Sequence, residues 1–158
     1  YGLDDNNEHT VLVRTMKCST GKDATPTPKG TFQSGTGPGA RWHYFKKFDC
    51  WAQYAYYIEG DILFHSVPYY AEDKSQLESE EYNKLGTPAS LGCIRLKVVD
   101  CKWIYDECPS GTPVVIFDGD ASNDPLGTPE FEPMDLESPN AGWDPTDPDP
   151  ANPWLASA

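Results

Sequence analysis

Ser90-Leu-Gly-Cys-Ile-Arg-Leu96 is the most informative segment of this sequence, because a loop enters an apolar element there through Gly92 and Cys93. Gly92 allows the backbone a turn that exposes the Cys93 side chain. A thiolate at such a turn is stabilised by unpaired amides, and the same amides can bind an oxyanion when a carbonyl is attacked. Arg95, two residues further on, can bind a carboxylate. On its own, however, a cysteine is more often a buried structural thiol.

His65 is the second group that points to chemistry at Cys93. It follows Ile62-Leu-Phe64 at the end of a predicted strand and precedes Ser66. A base at a strand end can reach a nucleophile on a neighbouring turn, provided that an acceptor such as a backbone carbonyl orients its other ring nitrogen. A single histidine in this place is more often structural. The two residues together favour a cysteine–histidine acyl-transfer site.

Local patterns predict several short strands. Residues 10–17 alternate and contain β-branched side chains, and residues 114–117 form a short apolar run that predicts a buried strand. Glu59-Gly60 predicts a tight turn between strands at 53–58 and 61–67.

Two helices are also predicted. Ser75 to Lys84 form the first, because Ser75 and Glu78 have the spacing of a capping box. Residues 98–107 form the second, on one side of which lie Val99, Trp103 and Asp106.

Charge and proline are concentrated at the C-terminal end of the chain. The 158 residues carry a formal charge of −13, yet residues 1–117 hold 15 acids and 12 bases, a net charge of only −3. Residues 118–158 hold ten acids, eight prolines and no lysine or arginine. We therefore expect one domain at 1–117 and an acidic, proline-rich extension at 118–158. The extension is either disordered or docked on the domain through Phe131, Trp143, Trp154 and Leu155.

The composition disfavours several classes of function. Few groups are available to neutralise phosphates, so binding to nucleic acid or to an anionic membrane surface is not expected. No apolar run approaches the roughly 20 residues of a membrane span. The five cysteines contain no CxxC pair and the three histidines are scattered, which disfavours a zinc site.

The order of these motifs resembles the YkuD-type L,D-transpeptidase catalytic domain. That family is marked by a histidine at a strand end, here in Phe64-His65-Ser66, and by Ser/Thr-x-Gly-Cys followed by an apolar residue and Arg or Asn. The match extends over about residues 10–117, with the supporting phrases Ser19-Thr-Gly21, Thr27-Pro-Lys-Gly-Thr-Phe32 and Gly111-Thr-Pro-Val-Val-Ile116. The resemblance implies a mainly β fold, a curved sheet or sandwich with one or two short helices.

The resemblance also implies an activity, that of a peptidoglycan L,D-transpeptidase. Cys93 would attack the carbonyl between the diamino acid and the terminal D-Ala of a stem tetrapeptide, while His65 takes the thiol proton or holds the thiolate as an ion pair. Loss of D-Ala would leave a thioester, which an amine of a second stem peptide would convert into a 3→3 cross-link. No metal or organic cofactor is needed, and carbapenems are expected to acylate Cys93.

Further roles follow from the same resemblance. The backbone carbonyl of Ser66 would orient His65, and the amides of Gly92 and Cys93 would form the oxyanion hole. Substrate contacts are expected from Arg95 and Ser90. We expect a wall-facing, extracytoplasmic monomer whose partners are peptidoglycan stem peptides.

Two departures from the family pattern are visible. The family often has histidine directly before the Gly-Cys pair, where this chain has Leu91. The interval between His65 and Cys93 is also long, with 27 residues from 66 to 92. We expect this interval to form a lid or wall whose acids attract the amine of a diamino acid; an ordinary solvated helix is the alternative.

The odd number of cysteines is consistent with two disulfides and one reactive thiol in an exported protein. Cys101 and Cys108 are seven residues apart on a predicted helix, about 10 Å of rise, which exceeds the reach of a disulfide. We favour the pairs Cys18–Cys108 and Cys50–Cys101. The alternative is that none of the five is oxidised.

Other functions are compatible with part of this pattern. An L,D-carboxypeptidase would use the same site with water in place of the amine. A catalytically idle wall-binding module would keep the fold, although it has no need of His65 and Cys93. A papain-like protease is disfavoured, because its cysteine precedes its histidine in the chain.

Overall fold

The computed structural model describes residues 1–34, 38–120 and 127–157. Its strands are β1 (Gly2–Leu3), β2 (His9–Val11), β3 (Cys18–Ser19), β4 (Gly30–Gln33), β5 (Trp42–Phe45), β6 (Cys50–Gln53), β7 (Tyr56–Glu59), β8 (Ile62–Ser66), β9 (Ile94–Leu96) and β10 (Pro113–Ile116). Its helices are α1 (Ser79–Tyr82), α2 (Val98–Glu107) and a 3-10 turn at Leu155–Ser157. The predicted mainly β fold with one or two short helices is confirmed.

The central sheet has the strand order β3-β9-β8-β7. Strands β8 and β9 are parallel, with His65 opposite Arg95, and the other two pairings are antiparallel. Three two-stranded sheets accompany it, formed by β1 with β2, β4 with β10, and β5 with β6. The parallel pair requires a long crossover, which the chain supplies with residues 67–93.

The β7–β8 hairpin forms where the sequence predicts it. The turn is Gly60-Asp61, one residue later than predicted, and Gly60 has a φ of 51°, in the left-handed region. Glycine adopts this conformation without steric cost. Tyr56, Ile58 and Leu63 are buried in the core, so the alternation of the sequence matches the observed faces.

Helix α2 has the predicted bounds but a different buried face. The residues that point inward are Val98, Cys101 and Ile104, at intervals of three, together with Asp100. Val99 and Trp103, which the sequence placed together on one side, are only partly buried. Trp103 is only partly buried and lies beneath the Arg14 guanidinium, 6.0 Å from the ring centre. The helix packs against β6, β7 and β8 through the inward face.

The predicted helix at Ser75–Lys84 is wrong in extent and in its cap. Only Ser79–Tyr82 is helical, and the Ser75 hydroxyl donates to Asp73 Oδ1 at 2.7 Å instead of capping a helix. Leu77 forms an isolated antiparallel bridge with Tyr69. Leu77 is therefore engaged in a β-bridge, which competes with its inclusion in a helix.

Two predicted strands also differ from the structure. The strand at 10–17 is reduced to β2, because the residues after Val11 have no ladder partner in the part of the chain that the structure describes. Strand β10 pairs with β4 as an exposed ladder, not as a buried strand, and Val115 is 59% exposed.

The C-terminal segment contacts the core through buried acids. Asp144 accepts a hydrogen bond from the backbone N–H of Val98 at 2.9 Å, and Thr146 Oγ1 accepts one from Val99 at 3.2 Å. These are the first amides of α2, whose preceding residue, Lys97, provides no side-chain cap. The first amides of a helix have no partner within it, so a remote carboxylate and hydroxyl cap this one.

Successive turns explain how a sequence rich in aspartate and proline becomes ordered. Asp144, Asp147, Asp149 and Asn152 each accept a hydrogen bond from the backbone N–H two residues further on. Such turns need no helix or sheet and tolerate proline between them. The division of the chain at residue 117 stays a prediction. The hydrogen bonds of Asp144 and Thr146 to α2 join residues on its two sides.

Replacing Asp144 with alanine should lower the free energy of unfolding by about 1–3 kcal/mol, because the buried Val98 amide loses its acceptor. Urea denaturation followed by circular dichroism measures the change. Glu132→Ala is the matched control, since it removes one exposed acid from the same segment. Equal urea midpoints for the two variants would contradict the capping role.

Candidate active site

The predicted site residues all lie on β8, on β9 or in the loop that leads into β9. His65 and Ser66 end β8, while Arg95 lies opposite His65 on β9. Ser90, Gly92 and Cys93 precede β9 directly. The parallel pairing of two strands from distant parts of the sequence therefore brings all of them together.

His65 is buried and its orientation is fixed. Only 4% of the residue is exposed, and the Phe45 ring lies 4.8 Å from the imidazole between ring centres. Nδ1 lies 2.6 Å from the backbone oxygen of Ser66. A carbonyl oxygen only accepts hydrogen bonds, so Nδ1 carries the hydrogen in this contact. The remaining nitrogen, Nε2, is then the basic one in the neutral ring.

The charge state of His65 follows from its surroundings. Burial, reinforced by the positive charge of Arg95, lowers the pKa of His65 to about 3. The hydrogen bond to Ser66 raises the pKa but does not offset the burial. The imidazole is therefore neutral near pH 7, and Nε2 can accept a proton.

A chain of hydrogen bonds shapes the loop that carries Cys93. The Ser90 hydroxyl donates to the Cys93 carbonyl at 2.5 Å and accepts from the Gly92 N–H at 3.1 Å. Thr27 Oγ1 donates to the Gly92 carbonyl at 2.8 Å and accepts from the Gly21 N–H at 2.8 Å. Hydrogen bonds from Ser90, a residue of the loop itself, and from Thr27, in another segment of the chain, thus fix the loop conformation.

Two glycines are required for this arrangement. Gly92 has a φ of 124°, and a Cβ there would lie 3.0 Å from Ile62 Cδ1. A Cβ on Gly21 would lie 2.1 Å from the Thr25 carbonyl oxygen. A side chain at Gly92 or at Gly21 would therefore displace the segment packed against that glycine.

The Cys93 thiol is a neutral group in this structure. Burial raises its pKa, while the Leu63 N–H and the charge of Arg95 lower it less strongly. The sequence had instead indicated a thiolate stabilised by free amides, but the Gly92 amide is bound to Ser90. Sγ donates to the Asp61 carbonyl at 3.5 Å. The thiol hydrogen is therefore directed at a backbone carbonyl in this structure.

The Arg95 guanidinium is paired with the carboxylate of Glu81. Its Nη1 donates to Glu81 Oε2 at 2.6 Å and to the Ala89 carbonyl at 3.5 Å. Its Nε is buried and has no hydrogen-bond partner among the described residues. Glu81 also pairs with Lys84. The guanidinium thus lies beside His65 with one donor left unsatisfied.

Ser90 is placed differently from what a substrate contact would need. It is buried and both hydrogen-bonding functions of its hydroxyl are engaged inside the loop. This favours a role in shaping the loop. Sequence reasoning missed two contributors, namely Thr27 and Phe45, and it counted Glu81 only among the acids of the 66–92 interval. Thr27 lies in a phrase that supported the resemblance, whereas no local signal indicated Phe45 or the pairing of Glu81 with Arg95.

The cysteines do not form the expected disulfides. All five are free thiols, so the pairs Cys18–Cys108 and Cys50–Cys101 are absent and the reduced alternative is the one observed. Cys101 is fully buried on the inward face of α2 and packs as a small apolar residue. Within the described ranges, no three His, Cys, Asp or Glu side chains are arranged to hold a metal ion.

Comparison with known families identifies the domain. The family model YkuD, described as L,D-transpeptidase catalytic domain, matches residues 3–116. The chain belongs to the YkuD family. The resemblance inferred from the histidine and cysteine motifs is thereby confirmed.

A relative from another bacterium agrees with the assignment to the YkuD family. YciB of Bacillus subtilis (strain 168), whose name places it among the L,D-transpeptidases, is 41% identical over 114 residues, covering 69% of this chain and 57% of that protein. The chain thus spans a little over half of this relative's length. No helix in the described part of the YkuD-family chain is long and apolar enough to cross a membrane.

Solved structures show the same fold. An L,D-transpeptidase from Mycobacterium smegmatis matches with a TM-score of 0.52 and 23% identity, covering 67% of this chain and 49% of that one. LdtMt1, solved in complex with imipenem, matches with a TM-score of 0.54 and 24% identity, covering 66% and 49%. These similarities establish the YkuD-type fold.

Alkylation of Cys93 by iodoacetamide should accelerate steadily up to and beyond pH 9, because burial raises the pKa of the thiol and the thiolate forms only at high pH. Peptide mass mapping separates Cys93 from the other four cysteines at each pH. A rate that already reaches its plateau by about pH 7 would indicate a thiolate–imidazolium pair and contradict the neutral thiol.

Proposed function

We propose that the chain is a cysteine-dependent L,D-transpeptidase that acts on stem tetrapeptides of peptidoglycan and forms 3→3 cross-links. The observation that carries the proposal is the contact between His65 Nδ1 and the Ser66 carbonyl, which leaves Nε2 as the basic nitrogen on a strand whose parallel neighbour, β9, begins directly after Cys93. An idle binding module would not need an oriented, neutral imidazole. Membership of the YkuD family supports the reaction class.

In the first half-reaction, Cys93 is acylated. Its side chain rotates from the Asp61 carbonyl towards His65, and Nε2 takes the thiol proton as Sγ attacks the carbonyl carbon of the diamino acid. The bond to D-Ala breaks, and His65 returns the proton to the leaving amine. The products are a thioester on Cys93 and free D-Ala.

In the second half-reaction, an amine of another stem peptide attacks the thioester. His65 Nε2 takes a proton from the attacking nitrogen and passes it to the Cys93 sulfur, which leaves as a thiol. A new amide bond joins the two peptides. The backbone N–H of Cys93 is the proposed donor to the oxyanion in both steps. The Gly92 amide can join it only if its hydrogen bond to Ser90 opens.

Hydrolysis of the same thioester would give L,D-carboxypeptidase activity. This second candidate uses every residue named above and differs only in whether water or an amine reaches the acyl group. We propose an extracytoplasmic, wall-facing location and a monomeric state in keeping with the substrate.

Incubation with a donor tetrapeptide should add to the intact protein the mass of the peptide less D-Ala. Cys93→Ala should show no adduct, and His65→Ala should slow its formation by about 10²–10⁴-fold, because the base is lost. Imipenem is a second acylating probe, suggested by its complex with the structurally similar LdtMt1. Intact-protein mass spectrometry measures both adducts.

A folded protein that acquires neither adduct would contradict the proposed function. An adduct that persists in Cys93→Ala would show that another thiol reacts, and it would contradict the assignment of Cys93. Thermal unfolding of each variant provides the folding control.

A further inference from the structure

Thr27 is a buried threonine whose hydroxyl makes two hydrogen bonds. Only 8% of the residue is exposed. The hydroxyl hydrogen is donated to the Gly92 carbonyl at 2.8 Å, and a lone pair accepts from the Gly21 N–H at 2.8 Å. Pro28 follows directly and restricts the Thr27 backbone to extended conformations, while the β-branched side chain is itself stiff. The hydroxyl therefore has a fixed position.

The segment that carries Thr27 is attached to the loop that carries Cys93. Gly21 forms a parallel bridge with Ser90, in that loop. The Ser90 N–H also donates to the Thr20 carbonyl at 3.0 Å. These contacts keep the Thr27 hydroxyl at a constant position relative to the loop.

The hydrogen bond from Thr27 sets the direction of the Cys93 N–H. The Gly92 carbonyl and the Cys93 N–H belong to one planar peptide unit, which is trans, because the described chain contains no cis peptide bond. In a trans unit the C=O and the N–H point in opposite directions, so a bond that holds the oxygen also aims the N–H. This N–H donates to no group among the residues that the structure describes.

Gly92 makes such control necessary. Its φ is 124°, and it has no side chain to restrict rotation of the peptide unit that follows it. Ser90 holds the neighbouring units, since its hydroxyl accepts from the Gly92 N–H and donates to the Cys93 carbonyl. The unit between them is bound by Thr27 alone, as far as the described ranges extend.

We propose that Thr27 is a positioning residue that aims the Cys93 N–H at the oxygen of the carbonyl under attack. This inference rests on the proposed function and names the residue that orders its oxyanion donor. As Sγ bonds to the carbonyl carbon, the π electron pair of the C=O moves to the oxygen, and the N–H of the attacking residue donates to that oxygen. Thr27 does not touch the peptide and exchanges no proton with it. Its hydrogen bond aligns the donor before charge develops.

Two reactions of Cys93 test this role in Thr27→Val, which keeps the shape of the side chain and removes the hydroxyl. Thioester formation from a saturating donor tetrapeptide should slow at least about tenfold, short of the roughly 10²–10³-fold cost of removing an oxyanion donor outright. The peptide concentration at half-saturation should change less than about twofold, because the donor acts in the transition state. Intact-protein mass spectrometry follows this reaction.

Alkylation of Cys93 by iodoacetamide is the second reaction. Sγ displaces iodide from a CH₂ group, so no oxyanion forms, and Thr27→Val should change the rate less than about twofold. Peptide mass mapping follows Cys93 separately from the other cysteines. A variant that only loosened the loop would alter both reactions.

Three further variants control the comparison. Thr27→Ser restores the hydroxyl and should recover most of the acylation rate. Thr87→Val is the matched control, because it removes an exposed hydroxyl that also donates to a backbone carbonyl, that of Lys84, and it should leave both reactions unchanged. If thermal unfolding shows that Thr27→Val does not fold, Thr27→Ala makes the same comparison with less bulk, and the same results are expected of it.

Equal acylation by Thr27→Val and the unaltered protein would overturn the inference. A parallel fall in acylation and alkylation would also overturn it, since Thr27 would then only support the loop. Acylation of Thr27→Ser as slow as that of Thr27→Val would do the same. Failure of the unaltered protein to form any thioester is a different result, because it contradicts the proposed function itself.

Discussion

The parallel pairing of β8 with β9 is the constraint on which the rest of the site depends. It fixes His65 opposite Arg95 and places the Cys93 loop at the beginning of β9, beside Leu63. Parallel neighbours need a long crossover, and here the crossover supplies Glu81, which pairs with Arg95. The long interval that departs from the family pattern is therefore also the part that binds the Arg95 guanidinium.

Burial determines the chemistry that this arrangement permits. With Phe45 against its ring and Arg95 opposite, His65 stays neutral, and the Ser66 carbonyl fixes the hydrogen on Nδ1. The thiol of Cys93 is neutral for the same reason. The surroundings thus favour a neutral thiol and a neutral imidazole in the resting protein over a preformed ion pair. Of the two alternatives that the sequence left open, the charges of the structure support proton transfer to His65.

The parts of the fold that follow from local chemistry could be predicted from the sequence. Gly60 permits the β7–β8 turn because glycine adopts the left-handed conformation without steric cost. The bounds of α2 are those that its sequence pattern predicts. The prediction of a helix over Ser75–Lys84 was wrong, because Leu77 forms an isolated bridge with Tyr69, a contact that no local pattern encodes. The capping of α2 by Asp144 joins positions 46 residues apart, and the Arg95–Glu81 pair likewise depends on the folded crossover. Sequence motifs therefore pointed to His65 and Cys93 as candidates, whereas several of the contacts around them became visible only in three dimensions.

The neutral, Nδ1-protonated state of His65 is the central claim of this account, and nitrogen-15 NMR of the histidine-labelled protein tests it most directly. His65→Gln assigns the His65 signals against those of His9 and His43. The account predicts a protonated Nδ1 and a bare Nε2 that do not change between about pH 5 and pH 8, since the pKa is lowered to about 3. Protonation of the ring with a midpoint near the ordinary histidine value of about 6.5, or a hydrogen on Nε2 in the neutral form, would contradict it.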